Sequence, residues 1–222
     1  TAMPQCLPLQ VIRRIPVKPH EPIHVLGAGG HAKVVVAALQ SAGLNVAGIY
    51  DDDPVTHGHH VLGVPVLGGL NMLASLGQIQ AVCAIGNNAT RRKVISSQKS
   101  IQWVSVIHPA AWVHESAKIG SGTVVFAGAM VQPDTVIGAH SIVNTGATVD
   151  HDCQLGNFIH LAPGVHLAGG VTVNEGSFLG IGAVAIPGVH IGAWTTVGAG
   201  AAVLSDLSDG VTAVGVPARA IR

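Results

Sequence analysis

Charge and aromatic rings are both scarce in this 222-residue chain: Asp, Glu, Lys and Arg make up 10% of it, and Phe, Tyr and Trp only 3%. The formal net charge is zero, so no basic surface draws in a polyanion, and electrostatic recognition of nucleic acid is excluded. A core with so few rings must be packed from Val, Ile, Leu and Ala, which suits a thin, regular structure better than a bulky globule. Cysteine is rare as well. Cys6, Cys83 and Cys153 are an odd number without a CxxC pair, which argues against a disulfide framework and for a reducing cytoplasm. No apolar run reaches the roughly 18 residues of a membrane span. The opening TAMPQCLPLQ lacks the basic-then-apolar order of a secretion signal. Residues 1–22, with four prolines ahead of His20, read as an arm to which no function attaches.

Glycine and small apolar residues are plentiful instead, and they are periodic. From Ile107 to Val203 every sixth residue is apolar, through Ile119, Val131, Val149, Leu161, Val173 and Ile191 among others. With 48% of the chain apolar, seventeen such positions in phase have a chance probability on the order of 10⁻⁶. Four residues after each, as far as Ala201, stands a small or β-branched residue, such as Ala111, Thr123, Ser141 or Cys153, and none is charged. A period of six fits neither an amphipathic helix nor a half-buried strand. It fits a chain wound round a triangular prism, with one short strand per side, a turn at each corner and about eighteen residues per coil. Cys153 falls on a small inward position and reads as core. The pattern resembles the hexapeptide-repeat acyltransferases, and that resemblance alone implies a left-handed winding, because crossovers between parallel strands are normally right-handed.

Ahead of the repeats, IHVLGAGGHAKVVVAALQSAGLNVAGIYDDDP reads as a strand (23–26), a glycine turn, a helix (about 31–41) and a second strand (46–50). Gly27-x-Gly29-x-x-Ala32 meets the tight-turn, close-approach and helix-packing demands of a nucleotide-binding turn. Asp51, Asp52 and Asp53 end the second strand, where a sugar hydroxyl or a base edge can be read. About 80 residues hold one mononucleotide half, not a full dinucleotide fold, so a nicotinamide enzyme is the poorer reading. The expected organisation is an arm (1–22), an α/β, half Rossmann-like mononucleotide-binding domain (23–105), a parallel β-helix (106–205) and a C-terminal tail (206–222).

His151 and His160 lie nine residues apart, half a coil, so in one chain they occupy opposite parts of the prism. To act together they must meet across an interface between chains, as a C3 trimer provides. Asp152, or else Asp150, can hold the His151 ring in one tautomer. Gly169 and Gly170, one coil beyond His151, remove side chains and leave room for a slender arm such as pantetheine. Acetyl transfer from a thioester needs a proton taken from the acceptor, and a neutral imidazole titrates in the right range. With acceptor and thioester aligned, no enzyme nucleophile is required. His108, His114, His140, His166 and His190 read as surface or turn residues.

GAGGHAK with DDD, then NTGATVDHDCQLGNFIHLAPG and the tail VGVPAR, resembles the bacterial sugar acetyltransferases of the sialic-acid O-acetyltransferase type, from Ile23 to Arg219. This group includes the N-acetyltransferases of nucleotide-linked 4-amino-4,6-dideoxy sugars, of the UDP-bacillosamine or GDP-perosamine type. The resemblance implies that His151 is the general base and Asp152 its orienting acid, although relatives often carry Glu there. It implies that His160 meets the thioester end of acetyl-CoA held by a neighbouring subunit, with Gly169, Gly182 and Arg219 also on coenzyme A. It assigns Gly27, Gly29, Gly30, His31, Asp51 and Asp52 to the nucleotide sugar. A homotrimer without a metal is expected. Sugar O-acetylation is the alternative within the class, and a zinc lyase of the carbonic-anhydrase type, with three histidines on metal, is the alternative outside it.

Overall fold

The computed structural model describes residues 21–221, so the expected arm lies, but for Glu21 and Pro22, outside the described residues. The first unit contains β1 (Ile23–Leu26), α1 (Gly30–Ser41), β2 (Val46–Tyr50), β3 (His60–Val61), β4 (Val64–Gly68), β5 (Ile79–Cys83), α2 (Asn88–Ser97) and β6 (Ile101–Trp103). They form one sheet in the order β3-β4-β2-β1-β5-β6, parallel except for the β3–β4 hairpin. The sheet is wider than the single half expected, because β3 and β6 are two and three residues long and carry no legible alternation. From β1 the chain moves outward to β2 and then returns to pair β5 on the other side of β1. The ends of β1 and β5 therefore flank a switch point, where open α/β sheets form a ligand crevice. The Gly27–Gly30 turn follows one strand and the Ile85–Asn88 loop follows the other.

From Val106–Ile107 to Ala202–Val203 seventeen two-residue strands recur every six residues, each ending on a repeat position identified in the sequence. As far as Val184–Ala185, each pairs in parallel with the strand eighteen residues on, as in Val124↔Ile142 and Ile142↔His160. Three sheets result. The first face runs from Val106–Ile107 through His160–Leu161, the second from Trp112–Val113, and the third from Lys118–Ile119. Aliphatic residues such as Val125, Val131, Ile137 and Leu161 fill the interior. Residues 212–214 and 219–220 add two more strands to the first face, the last one antiparallel.

Closing the prism needs a sharp turn at each corner, and the backbone supplies it with positive φ at every sixth position from Gly122 to Gly200. Five of these positions are not glycine: Asp134, His140, Asp152, Phe158 and Trp194. The edge between the first and second faces carries glycine alone, at 128, 146, 164, 182 and 200. Buried hydroxyls join successive coils. Thr123 Oγ1 donates to Gly138 O (2.8 Å) and accepts from Ser141 N–H (3.0 Å), and Ser177 repeats the pattern with Gly192 and Thr195. That is why the small inward position tolerates Ser and Thr.

The two units share a core. Val106, Val124 and Ile142 on the outside of the first face pack with Val35, Val36 and Leu39 of α1. No helix among the described residues is long and apolar enough to cross a membrane. Replacing Thr123 by the isosteric Val strands one buried N–H and one buried carbonyl, and thermal unfolding at fixed protein concentration should show a loss of about 1–2 kcal/mol. Asp134→Gly, which relieves a positive φ of 60° at an exposed corner, should leave the melting temperature unchanged or raise it.

Candidate active site

The glycine turn is built as its spacing predicts. Gly27 has φ +104°, and a Cβ there would lie 2.8 Å from Ile85 Cγ1, so only glycine fits. A Cβ on Gly29 or Gly30 would meet nothing within 4 Å, so bare backbone faces open space. Helix α1 begins at Gly30, one residue before the expected His31, and no side chain caps it. Ala32 N–H donates to Gly29 O (3.0 Å), and the N–H groups ahead of it, which no side chain caps, form the kind of helix N-terminus that attracts an anion such as a diphosphate. His31 enters the interface between the two units, with its ring 5.4 Å from Phe126 and 5.9 Å from His160. Burial and the nearby Arg91 charge lower its pKa to about 4.

The aspartates are less free than the sequence suggests. Asp51 Oδ2 accepts the Ala28 N–H (2.6 Å) and its Oδ1 accepts the Asp53 N–H (2.9 Å), so this carboxylate braces the glycine turn. Asp52 is exposed and its Oδ1 accepts the Leu70 N–H (2.8 Å), and Asp53 caps the short turn at Val55.

His151 stands at the corner between the second and third faces, opposite the first face. Its Nδ1 lies 2.8 Å from Asp152 Oδ2, while Asp150 Oδ1 accepts the His151 backbone N–H (2.8 Å). Of the two candidate orienting acids, Asp152 therefore reaches the ring and Asp150 reaches the backbone. A carboxylate only accepts, so Nδ1 carries the proton and Nε2 keeps its lone pair. Nε2 has no hydrogen bond among the described residues. The Asp152 hydrogen bond, with the Asp150 charge behind it, raises the imidazole pKa above its ordinary 6.5. Asp152 sits at φ +60°, a conformation that turns its short side chain back beside the preceding ring.

Gly169 does not leave a vacancy for a cofactor arm. A Cβ there would lie 2.6 Å from His151 Cε1, so the space beside Gly169 is taken by the imidazole itself, which rests on the bare backbone. Gly182 does stand open, with nothing within 4 Å of a Cβ, on the all-glycine edge. Arg219 is exposed at the far end of the first face, four strand steps beyond His160, roughly 19 Å away at about 4.8 Å per step. His160, Gly182 and Arg219 are thus strung along one side of the prism, with His151 and Gly169 on the other.

His160 lies on the first face, and the half-coil argument for separating it from His151 agrees with this topology. Its Nδ1 donates to Gly86 O (3.1 Å), and its Nε2 accepts from Asn144 Nδ2 (3.2 Å). Both nitrogens are engaged within the chain. Burial lowers its pKa to about 4 against the raising effect of the Gly86 bond, with the His31 and Arg91 charges adding to the fall. Beside it opens a cleft of about 460 Å³, lined by Asn87, Asn88, His160, Phe178, Trp194 and Thr196.

His140 is a corner residue, as expected, but a buried one, with its ring stacked on Phe158 and edge-on to Trp103. Arg91, Asn88 and Asn144 escaped sequence reasoning, since nothing in their spacing marks them. Among the described residues no group of three or more His, Cys, Asp or Glu could hold a metal ion.

The PglD N-terminal domain family matches residues 22–97. The structure of PerB from Caulobacter crescentus, in complex with CoA and GDP-perosamine, shares 46% identity at a TM-score of 0.84, over 91% of this chain and 98% of that one. The same protein has been solved with one histidine changed to Asn or to Ala. GDP-perosamine N-acetyltransferase of Escherichia coli O157:H7 is 30% identical over 72% of this chain and 76% of its own length. UDP-N-acetylbacillosamine N-acetyltransferase of Bacillus subtilis is 39% identical over 47% of this chain. The chain spans about half of the Bacillus protein, 51%, and 21% of a mimivirus relative.

In a ¹⁵N-histidine NMR titration, His151 should titrate above 6.5 and fall back toward that value in Asp152→Asn. An identical midpoint in both proteins would show that the carboxylate does not set the base.

Proposed function

Because the chain belongs to the hexapeptide-repeat N-acetyltransferases that carry a PglD N-terminal domain, we propose that it moves the acetyl group of acetyl-CoA to the 4-amino group of a nucleotide-linked 4-amino-4,6-dideoxy sugar. The prism is the left-handed parallel β-helix of that family. The observation that carries the reading is the His151–Asp152 pair, an oriented imidazole with a free Nε2 lone pair.

The chemistry follows from that lone pair. The sugar amine attacks the thioester carbonyl, a C–N bond forms, and His151 Nε2 takes the proton released from nitrogen. The positive charge gained by the ring is stabilised by Asp152. As the tetrahedral intermediate collapses the C–S bond breaks, and the imidazolium returns its proton to the departing thiolate. Direct attack needs no acyl-enzyme. Cys153 and Cys83 are both buried, and burial raises each thiol to about 11, so neither supplies a thiolate.

The two half-sites lie on opposite sides of one chain, which supports a site shared between protomers of a homotrimer. In this reading the uncapped α1 N-terminus, Gly29, Gly30 and His31 bind the nucleotide sugar, with Asp51 bracing the turn and Asp52 offering its exposed carboxylate. Coenzyme A lies along His160, Gly182 and Arg219 of one protomer, beside His151 and Gly169 of the next. An amine is a better nucleophile than a hydroxyl, and the Caulobacter, Escherichia and Bacillus relatives are all described as acting on, or bound to, nucleotide-linked or amino sugars. These points favour N- over O-acetylation.

His151→Ala should lower turnover with a GDP- or UDP-linked 4-amino sugar by roughly 10²- to 10⁴-fold, the usual worth of a positioned base. Calorimetry should find acetyl-CoA binding nearly unchanged. An undiminished rate would remove His151 from the mechanism.

A further inference from the structure

Arg91 is among the most deeply buried side chains, 1% exposed, yet among the described residues its hydrogen bonds reach no carboxylate. All its donors go to uncharged oxygens. Nε donates to His140 O (2.8 Å), Nη1 to Ile85 O (2.9 Å) and Gly86 O (3.1 Å), and Nη2 to Asn88 Oδ1 (2.8 Å), Phe158 O (3.0 Å) and Ile159 O (3.3 Å). Desolvating a cation without a counter-charge is a costly way to join two units that already share an apolar core. What the guanidinium does that a Leu or Met could not is grip several carbonyls at fixed angles.

One of those carbonyls is shared. Gly86 O accepts from Arg91 Nη1 and from His160 Nδ1. Because a carbonyl cannot donate, the His160 proton stays on Nδ1 and Nε2 is left as an acceptor for Asn144 Nδ2. Asn144 Oδ1 in turn accepts the Thr145 N–H (2.8 Å), which fits the same amide orientation. A chain of hydrogen bonds thus runs from the buried guanidinium to a ring lining the cleft. The other groups facing that ring are His31 and Phe178.

We propose that Arg91 is a positioning residue for the transfer reaction: by gripping the Gly86 carbonyl it holds His160 in its Nδ1–H tautomer and fixes the His160–Asn144 pair at the cleft. The kinetic part of this inference rests on the acetyltransferase reading, whereas the tautomer does not. Arg91→Lys retains the charge but loses the planar fork, and Arg91→Gln retains an amide donor without the charge. Long-range ¹H–¹⁵N spectra of histidine-labelled full-length protein, with His160 assigned through His160→Gln, report the tautomer directly.

In the unsubstituted protein Nε2 of His160 should show the unprotonated shift at pH 7. In whichever of the two variants melts near normally, the ring should become a mixture of tautomers. With the 4-amino sugar nucleotide, kcat/KM for acetyl-CoA should fall roughly tenfold. A His160 ring that keeps its Nδ1–H tautomer in both variants overturns the proposal, whatever the activity. A tautomer change in a protein inactive with every amino-sugar nucleotide would uphold the positioning role and fault the functional reading instead.

Discussion

A three-sided winding closes only where the backbone turns through positive φ once every six residues, and this corner constraint organises the whole molecule. Left-handed backbone costs a non-glycine residue on the order of 1 kcal/mol, so glycine is the default there. Departures from glycine are therefore informative. His140, Phe158 and Trp194 place rings on the edge that meets the α/β unit, where Trp103 packs against His140 and Arg92 lies 4.5 Å above the Trp194 ring. Asp152 occupies a second edge and orients His151. The third edge is glycine throughout and leaves open backbone beside the first face. One repeat thus yields a docking edge, a chemical edge and a bare edge, differing only in the residues placed at equivalent corners.

The same scaffold drives histidines in opposite directions. His151 is exposed beside two carboxylates and is raised, so it can gain a proton near neutral pH. His31, His140 and His160 cluster around the Arg91 cation, and burial together with that charge brings each to about 4. They remain neutral where His151 titrates. A proton-accepting group and a set of neutral rings are thereby separated by environment alone.

Much of this was legible in the sequence. The six-residue phase located each prism strand because the aliphatic inward position of every repeat must be apolar, and the glycine turn announced itself through Gly27, whose φ and contact with Ile85 admit no side chain. His151 and Asp152 could be paired because adjacency at a corner suffices for contact. What escaped depended on long-range approach. Arg91 and Asn88 act on residues 49 to 89 positions away, and no periodicity encodes that. Gly169 was legible as a site of missing side chains, but what filled the space, the His151 ring itself, required coordinates. Asp51 likewise turned inward to Ala28, a choice set by the depth of the turn and not by its own residue type.

The central claim is that one protomer supplies the base and another holds the acceptor. It is tested most directly by mixing two inactive chains: His151→Ala, which lacks the base, and Gly29→Glu, whose added carboxylate stands before the uncapped α1 N-terminus. When the two are co-expressed or refolded together in equal amounts, randomly mixed assemblies should recover about a quarter of the unsubstituted activity, because one neighbouring pair in four joins an intact base to an intact acceptor site. Activity no greater than the sum of the two separate variants would show that each chain works alone, and would contradict the account.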